Sequence, residues 1–266
     1  MLKNTSNKLK NKLILYDVFS YSCMNCLRSA EYIKKIDKAY KEYGLETILL
    51  HPPEWDFEKV EQNVCENLKE NDISFPFLLD TDWKIIGKFG LDFWPTQILV
   101  AEGKVIYKHI GEGDYKELED AIIKALNLKQ VKRLFSKEPE YSKHPTVYCG
   151  TRKKGVIRPV KAKMNGLRFG VLYTNASWNQ ESEYLQSMEE NCELTLMTKG
   201  SIVNFVAESL TKEPVRVILK IKNKIVGNIL VNGPKLYRLL ELETDKQEIL
   251  TLTVEKGLAI YAFSFQ

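Results

Sequence analysis

The chain has 266 residues, room for two domains of roughly 120–140 residues each. Its 44% hydrophobic and 28% charged residues are ordinary for a globular protein. The formal charge of +4 comes from interspersed lysines and glutamates, so no basic block argues for nucleic acid, and no apolar run nears the ~20 residues of a membrane span.

In chain order, a lysine-rich lead-in runs into the apolar stretch Leu13–Phe19. The combination superficially suggests a signal peptide, but Asp17 interrupts it and no small-residue cleavage site follows. The expectation is a basic lead-in, a buried strand and a cytoplasmic location. Next comes Cys23-Met24-Asn25-Cys26, and after it Leu27, Ala30, Ile33, Ile36 and Tyr40 recur at helical intervals up to Gly44. Glu46–Leu50 is a second buried strand. Phe57, Val60, Val64 and Leu68 predict a helix over about 56–70. A short strand at Phe75–Leu79 and a helical turn within Asp80–Phe89 follow. Trp94-Pro95-Thr96 then leads into Gln97–Ala101, the turn Glu102-Gly103 and Val105–Ile110, a β-hairpin. A closing helix over about 114–127 completes a βαβαβαββα order, which implies a mixed sheet with helices on both faces.

Residues 128–146 are polar, basic and proline-containing. Beyond them lie short β-type runs from Arg168–Thr174 to Leu258–Phe265, separated by turn signals such as Asn232-Gly233 and Lys256-Gly257. Some eight strands with inward–outward alternation, as in Val215, Val217, Leu219 and Ile221, predict an antiparallel sandwich of jelly-roll type. The domain boundaries are therefore 1–130, a linker over 131–146, and 147–266.

Five cysteines do not make a disulfide framework in a chain this long. Cys149 and Cys192 either bridge, if they meet in space, or are buried inert thiols. Cys23 and Cys26 differ, because they sit where a strand gives way to a helix. Unpaired N–H groups and the positive end of the helix dipole favour a thiolate there, and the spacing lets the second sulfur close a disulfide. Cys23 is the expected attacking thiol and Cys26 the more buried resolving one. A zinc half-site or a structural pair are the alternatives, but His51, His109 and His144 lack ligand spacing, so no metal is assigned. Asp17, a carboxylate in an apolar strand, is a candidate proton acceptor for the resolving thiol. Pro95 opens a strand, where proline is tolerated only in special geometries. Trp94 is expected to rim the dithiol, with Thr96 beside it as a substrate contact. Trp178, Tyr173 and Tyr184 are candidates for an aromatic platform on the sandwich.

Asp17, the Cys23–Cys26 motif and Trp94-Pro95-Thr96 before a hairpin together resemble the thioredoxin fold. More narrowly, Tyr21–Cys26, His51-Pro52-Pro53-Glu54, Trp94-Pro95 and Gly111–Tyr115 resemble the thioredoxin-like segment of DipZ-type thiol–disulfide interchange proteins, a group related to the cytochrome c biogenesis thioredoxins. His144–Gly150, Trp178, Leu236–Leu239 and Tyr261–Phe265 resemble, more loosely, the carbohydrate-binding-like sandwich that follows in that family. The resemblance implies an oxidoreductase with Cys23 as nucleophile, Cys26 as resolving thiol, Pro95 as a cis-proline and Glu54 as a proton relay near the cysteines. The redox-active disulfide needs no cofactor. Partners would be a protein disulfide or dithiol and an electron donor, with a glycan or protein ligand open for the sandwich. The competing expectation is a sandwich adaptor whose dithiol only senses redox state.

Overall fold

The computed structural model describes residues 13–138, 144–159, 166–175, 177–243 and 247–266. The lead-in before residue 13 and part of the expected linker lie outside these. The chain divides into two compact units, Met1–Glu140 and Tyr141–Gln266.

The first unit is built on a five-stranded mixed sheet. Strands β1 (Leu13–Val18), β2 (Leu45–His51) and β3 (Phe77–Leu79) run parallel, and β4 (Thr96–Ala101) and β5 (Lys104–Ile110) form the antiparallel hairpin, in the order β3-β2-β1-β4-β5. Helices α1 (Met24–Tyr40), α2 (Glu61–Glu70), α3 (Lys84–Lys88) and α4 (Tyr115–Ala125) connect them. The period of two along each strand decides what each face carries. Val18, Leu50 and Ile98 share a cluster with Ile86 of α3. Asp17 and Gln97, opposite one another in register, point to the other face, where Ser29 of α1 meets Gln97. The same alternation that buries the apolar residues thus puts a carboxylate beneath the helix bearing the cysteines.

The helix expected over 56–70 is interrupted. Residues Asp56–Lys59 form a 3₁₀ turn, and Val60 is extended (φ −86°, ψ 110°) and half exposed before α2 begins. The break lets Phe57 and Glu58, adjacent in sequence, both turn inward. Part of the expected linker also belongs to the first unit. Glu119 of α4 accepts bonds from the backbone N–H of Leu134 (2.7 Å) and Phe135 (3.2 Å) and from the Tyr40 hydroxyl (2.5 Å). Glu138 accepts from the N–H groups of Tyr115 (3.1 Å) and Lys116 (2.7 Å), satisfying donors at the start of α4 that Asp114 leaves uncapped. A buried carboxylate and an uncapped helix end both need partners, and residues 134–138 supply them.

The second unit is a sandwich of two six-stranded sheets. One contains β6 (Val147–Tyr148), β9 (Trp178–Gln180), β10 (Leu185–Ser187), β12 (Ile202–Ser209), β15 (Lys235–Glu241) and β17 (Leu258–Phe265). The other contains β7 (Val156–Pro159), β8 (Val171–Thr174), β11 (Cys192–Met197), β13 (Val215–Ile221), β14 (Lys224–Val231) and β16 (Ile249–Val254). Phe205, Phe263 and Phe265 of the first sheet and Leu196, Val217, Leu219 and Leu252 of the second form one core. Strands β6, β7, β9 and β10, of two to four residues, are too short to announce themselves by alternation. Among the described residues, pairing in this unit is antiparallel except between β7 and β8, which run parallel.

Gly200 is fixed by this packing. Its φ is +82°, and a Cβ there would collide with the Gln266 carbonyl, which accepts the N–H groups of Ser201 and Ile202. Gly200→Ala is expected to cost upward of about 2 kcal/mol, read as a lower thermal midpoint.

Candidate active site

Cys23 is the N-cap of α1, with extended backbone (φ −85°, ψ 114°). Its sulfur accepts the N–H of Cys26 at 3.3 Å, and its carbonyl accepts the N–H of Leu27. A cap position leaves the first helical N–H groups without intrahelical partners, and here one of them is aimed at the sulfur. Cys23 is partly exposed and Cys26 fully buried, and both are free thiols. Burial pushes the Cys26 thiol well up, and the hydrogen bond and charge of Cys23 and the carboxylate of Asp17 push it further in the same direction.

Asp17 is fully buried, and burial raises its carboxyl to about 7, opposed by the bond that Gln97 Nε2 donates to Oδ1 at 2.9 Å. Its Oδ2 is buried with no hydrogen-bond partner among the described residues. A carboxylate with one unpaired oxygen and a raised affinity for protons, under a buried thiol, is equipped to accept a proton.

Thr96 lies opposite Val18, so Pro95 sits level with the end of β1, where the loop to Cys23 begins. The Trp94–Pro95 bond is cis. Pro95 is buried, and its carbonyl accepts the N–H of Gly111 at 2.8 Å. Next to Gly111, Glu112 takes a two-pronged contact from Arg28 of α1 (2.6 and 2.5 Å), tying the cysteine helix to the segment that holds the proline. Arg28→Ala leaves a carboxylate whose side chain is 8% exposed without that partner. The expected loss is about 1–3 kcal/mol in chemical denaturation.

Trp94 is half-buried, packs edge-on against Trp83 (5.4 Å), and donates Nε1 to Glu54 at 3.2 Å. Glu54 is thus placed on the proline side of the site, holding the indole. Thr96 departs from the expected substrate contact. Its side chain is fully buried and its hydroxyl turns back to the Phe93 carbonyl at 2.8 Å, while Phe93 itself is 63% exposed.

Several residues of the site are given no role by the sequence. Glu58 is fully buried and accepts from the Ser20 hydroxyl (2.7 Å), the Ser22 hydroxyl (2.7 Å) and N–H (3.3 Å), and the Glu54 N–H (2.5 Å). Burial raises its carboxyl while these bonds oppose the rise. His51 accepts the Tyr21 N–H through Nε2 at 3.3 Å, and burial lowers it to about 4, so it is neutral. Gln97 had a signal: like Asp17, it is a polar residue inside a buried strand.

The three aromatics singled out on the sandwich have separate partners. Tyr173 belongs to β8 in one sheet, whereas Trp178 belongs to β9 in the other, packs on the core and donates Nε1 to the Glu193 carbonyl. Tyr184 packs against Tyr261. Cys149 and Cys192 are buried and unbridged, and the Cys192 thiol donates to the carbonyls of Ser177 and Glu189. Among the described residues, no group of three or more His, Cys, Asp or Glu is placed to hold a metal ion.

Residues 2–124 match the Redoxin family, and residues 171–265 match the family described as Thioredoxin like C-terminal domain. Protein DipZ of Mycobacterium tuberculosis is 37% identical over 120 residues, 45% of this chain and 17% of that protein. Thiol-disulfide oxidoreductase ResA of Bacillus cereus is 33% identical over 112 residues, 42% of this chain and 62% of that protein. The chain therefore spans less than two thirds of either relative. The crystal structure of a thiol:disulfide interchange protein, thioredoxin family, from Chlorobium tepidum aligns at 20% identity over 46% of this chain and 84% of that one, with a TM-score of 0.39.

Proposed function

We infer that this chain, whose first unit is a thioredoxin-like domain of the thiol–disulfide oxidoreductase type, exchanges disulfides with protein substrates through Cys23 and Cys26. One observation carries the reading: a partly exposed sulfur caps a helix and receives an N–H, while a second thiol lies buried within one turn of it. The Cys23 thiolate attacks a substrate disulfide, forming a mixed disulfide and releasing one substrate thiolate, which takes a proton from water. Cys26 then gives its proton to Asp17 and attacks Cys23 Sγ, releasing the second substrate thiolate and leaving a Cys23–Cys26 disulfide. Two electrons pass to the substrate, and a thiol or dithiol donor must restore the pair. The same steps in reverse oxidise a substrate dithiol. Exposed Phe93 and half-buried Trp94, beside Pro95, supply an apolar rim for the substrate chain.

The direct test is reduction of insulin by the full chain with dithiothreitol as donor, followed by precipitation of the freed B chain. The expected result is turnover well above that of dithiothreitol alone. A rate equal to that background would overturn the reading and leave a dithiol that only senses redox state.

A further inference from the structure

Two loops meet on one buried carboxylate, and a third is tied to it through Glu54. Oε1 of Glu58 collects the hydroxyls of Ser20 and Ser22 and the N–H of Ser22, from the segment that delivers Cys23. Oε2 takes the N–H of Glu54, whose own carboxylate holds the indole of Trp94 immediately before Pro95. A continuous chain of hydrogen bonds therefore runs from the residues preceding the cysteine, through Glu58 and Glu54, to the residue preceding the proline.

Stability alone is a poor account of this arrangement. A buried charge must recover a large desolvation cost, and well-packed apolar residues commonly serve a fold as well or better. What a carboxylate offers that a leucine cannot is directional acceptance of several donors from separate segments. All four donors here come from loops carrying, or holding, the groups at the site. None comes from the strands of the sheet.

We propose that Glu58 is a positioning residue: by clasping the Ser20–Ser22 loop and, through Glu54, the Trp94–Pro95 turn, it sets the orientation in which Cys23 meets an incoming disulfide. The proposal rests on the exchange reading, and its readouts are taken on the chain's own dithiol so that the two can fail separately. Glu58 need not touch substrate. Its effect is transmitted through the placement of the sulfur relative to the turn it faces.

The test compares Glu58→Gln, the double variant Ser20→Ala/Ser22→Ala, and Leu118→Ala, a core truncation on α4 outside the network. Each full-length protein is measured for thermal midpoint, for the rate of Cys23 alkylation by iodoacetamide in the reduced state, and for the equilibrium of its dithiol with glutathione. Glu58→Gln is expected to slow alkylation and shift the equilibrium by roughly tenfold each, within the ~10²-fold that a misplacement of about 1 Å costs. The serine double variant should move both in the same direction, and Leu118→Ala should lower only the midpoint. The proposal is overturned if Glu58→Gln matches Leu118→Ala, losing midpoint while keeping the wild-type rate and equilibrium. Should Glu58→Gln fail to fold, the serine double variant decides by the same criterion. Absent insulin turnover by wild type would sink the exchange reading, whereas these readouts would still decide the role of Glu58.

Discussion

A Cys23→Ser protein is expected to lose disulfide exchange altogether, whereas Cys26→Ala is expected to stop halfway and hold its substrate. The asymmetry follows from exposure and order of attack. Of the pair, Cys23 is the partly exposed member and receives the Cys26 N–H on its sulfur, so the first bond to substrate forms there. A serine hydroxyl is a far weaker nucleophile, and the loss should be on the order of 10³-fold or more, the scale seen when a covalent nucleophile is removed. Without Cys26, attack by Cys23 proceeds but nothing releases the mixed disulfide. Mass spectrometry of Cys26→Ala after incubation with a protein disulfide should show the adduct on Cys23, absent after reduction. Undiminished insulin turnover by Cys23→Ser would refute the assignment, and an adduct appearing instead on Cys65, the exposed free thiol of α2, would relocate the chemistry.

Replacing Asp17 by Asn should stabilise the fold in mild alkali and slow the second half-reaction. In the native state burial lifts this carboxyl from its ordinary 3.8 to about 7. Between those values the unfolded chain has lost the proton and the folded chain retains it. The folded state binds more protons there, so stability falls as pH rises through the window and levels off above it. At about pH 8 the whole penalty is present, up to about 4 kcal/mol, and Asp17→Asn removes it. Below about pH 4 both states are protonated, and the variant should gain little from this source. Urea denaturation at the two pH values measures the difference. An equal gain at both would mean that the carboxylate does not titrate as its burial requires. The catalytic counterpart is release of the mixed disulfide. With no carboxylate to take the Cys26 proton, release should slow by roughly 10²-fold, the lower range for a positioned base. A wild-type release rate in Asp17→Asn would remove Asp17 from the mechanism while leaving the stability result standing.

Much of this site can be read from the chain because its signals are local. Two cysteines three positions apart between an apolar strand and a helical stripe predict a reactive dithiol at a helix start, and the structure places them at that start. Asp17 stands out as a charge within an apolar strand, and the hairpin of β4 and β5 follows from its turn and flanking runs. In the sandwich, strands of six to eight residues announce themselves by alternation, as β13 does with Val215, Val217 and Leu219 inward.

Other features became visible only in three dimensions. The interruption at Val60, the inward Thr96 and the anchoring of residues 134–138 all depend on neighbours distant in the chain. Glu58 lies 38 positions from Ser20, and Gln97 lies 80 from Asp17. Periodicity and capping express the preferences of a few consecutive residues, so the sequence alone determined most of the longer elements, the dithiol and its place at a helix start. Which buried carboxylate meets which donor is set when strands pair and loops converge. Only the tertiary structure decided that, because a charge leaving water must find partners wherever the fold happens to bring them.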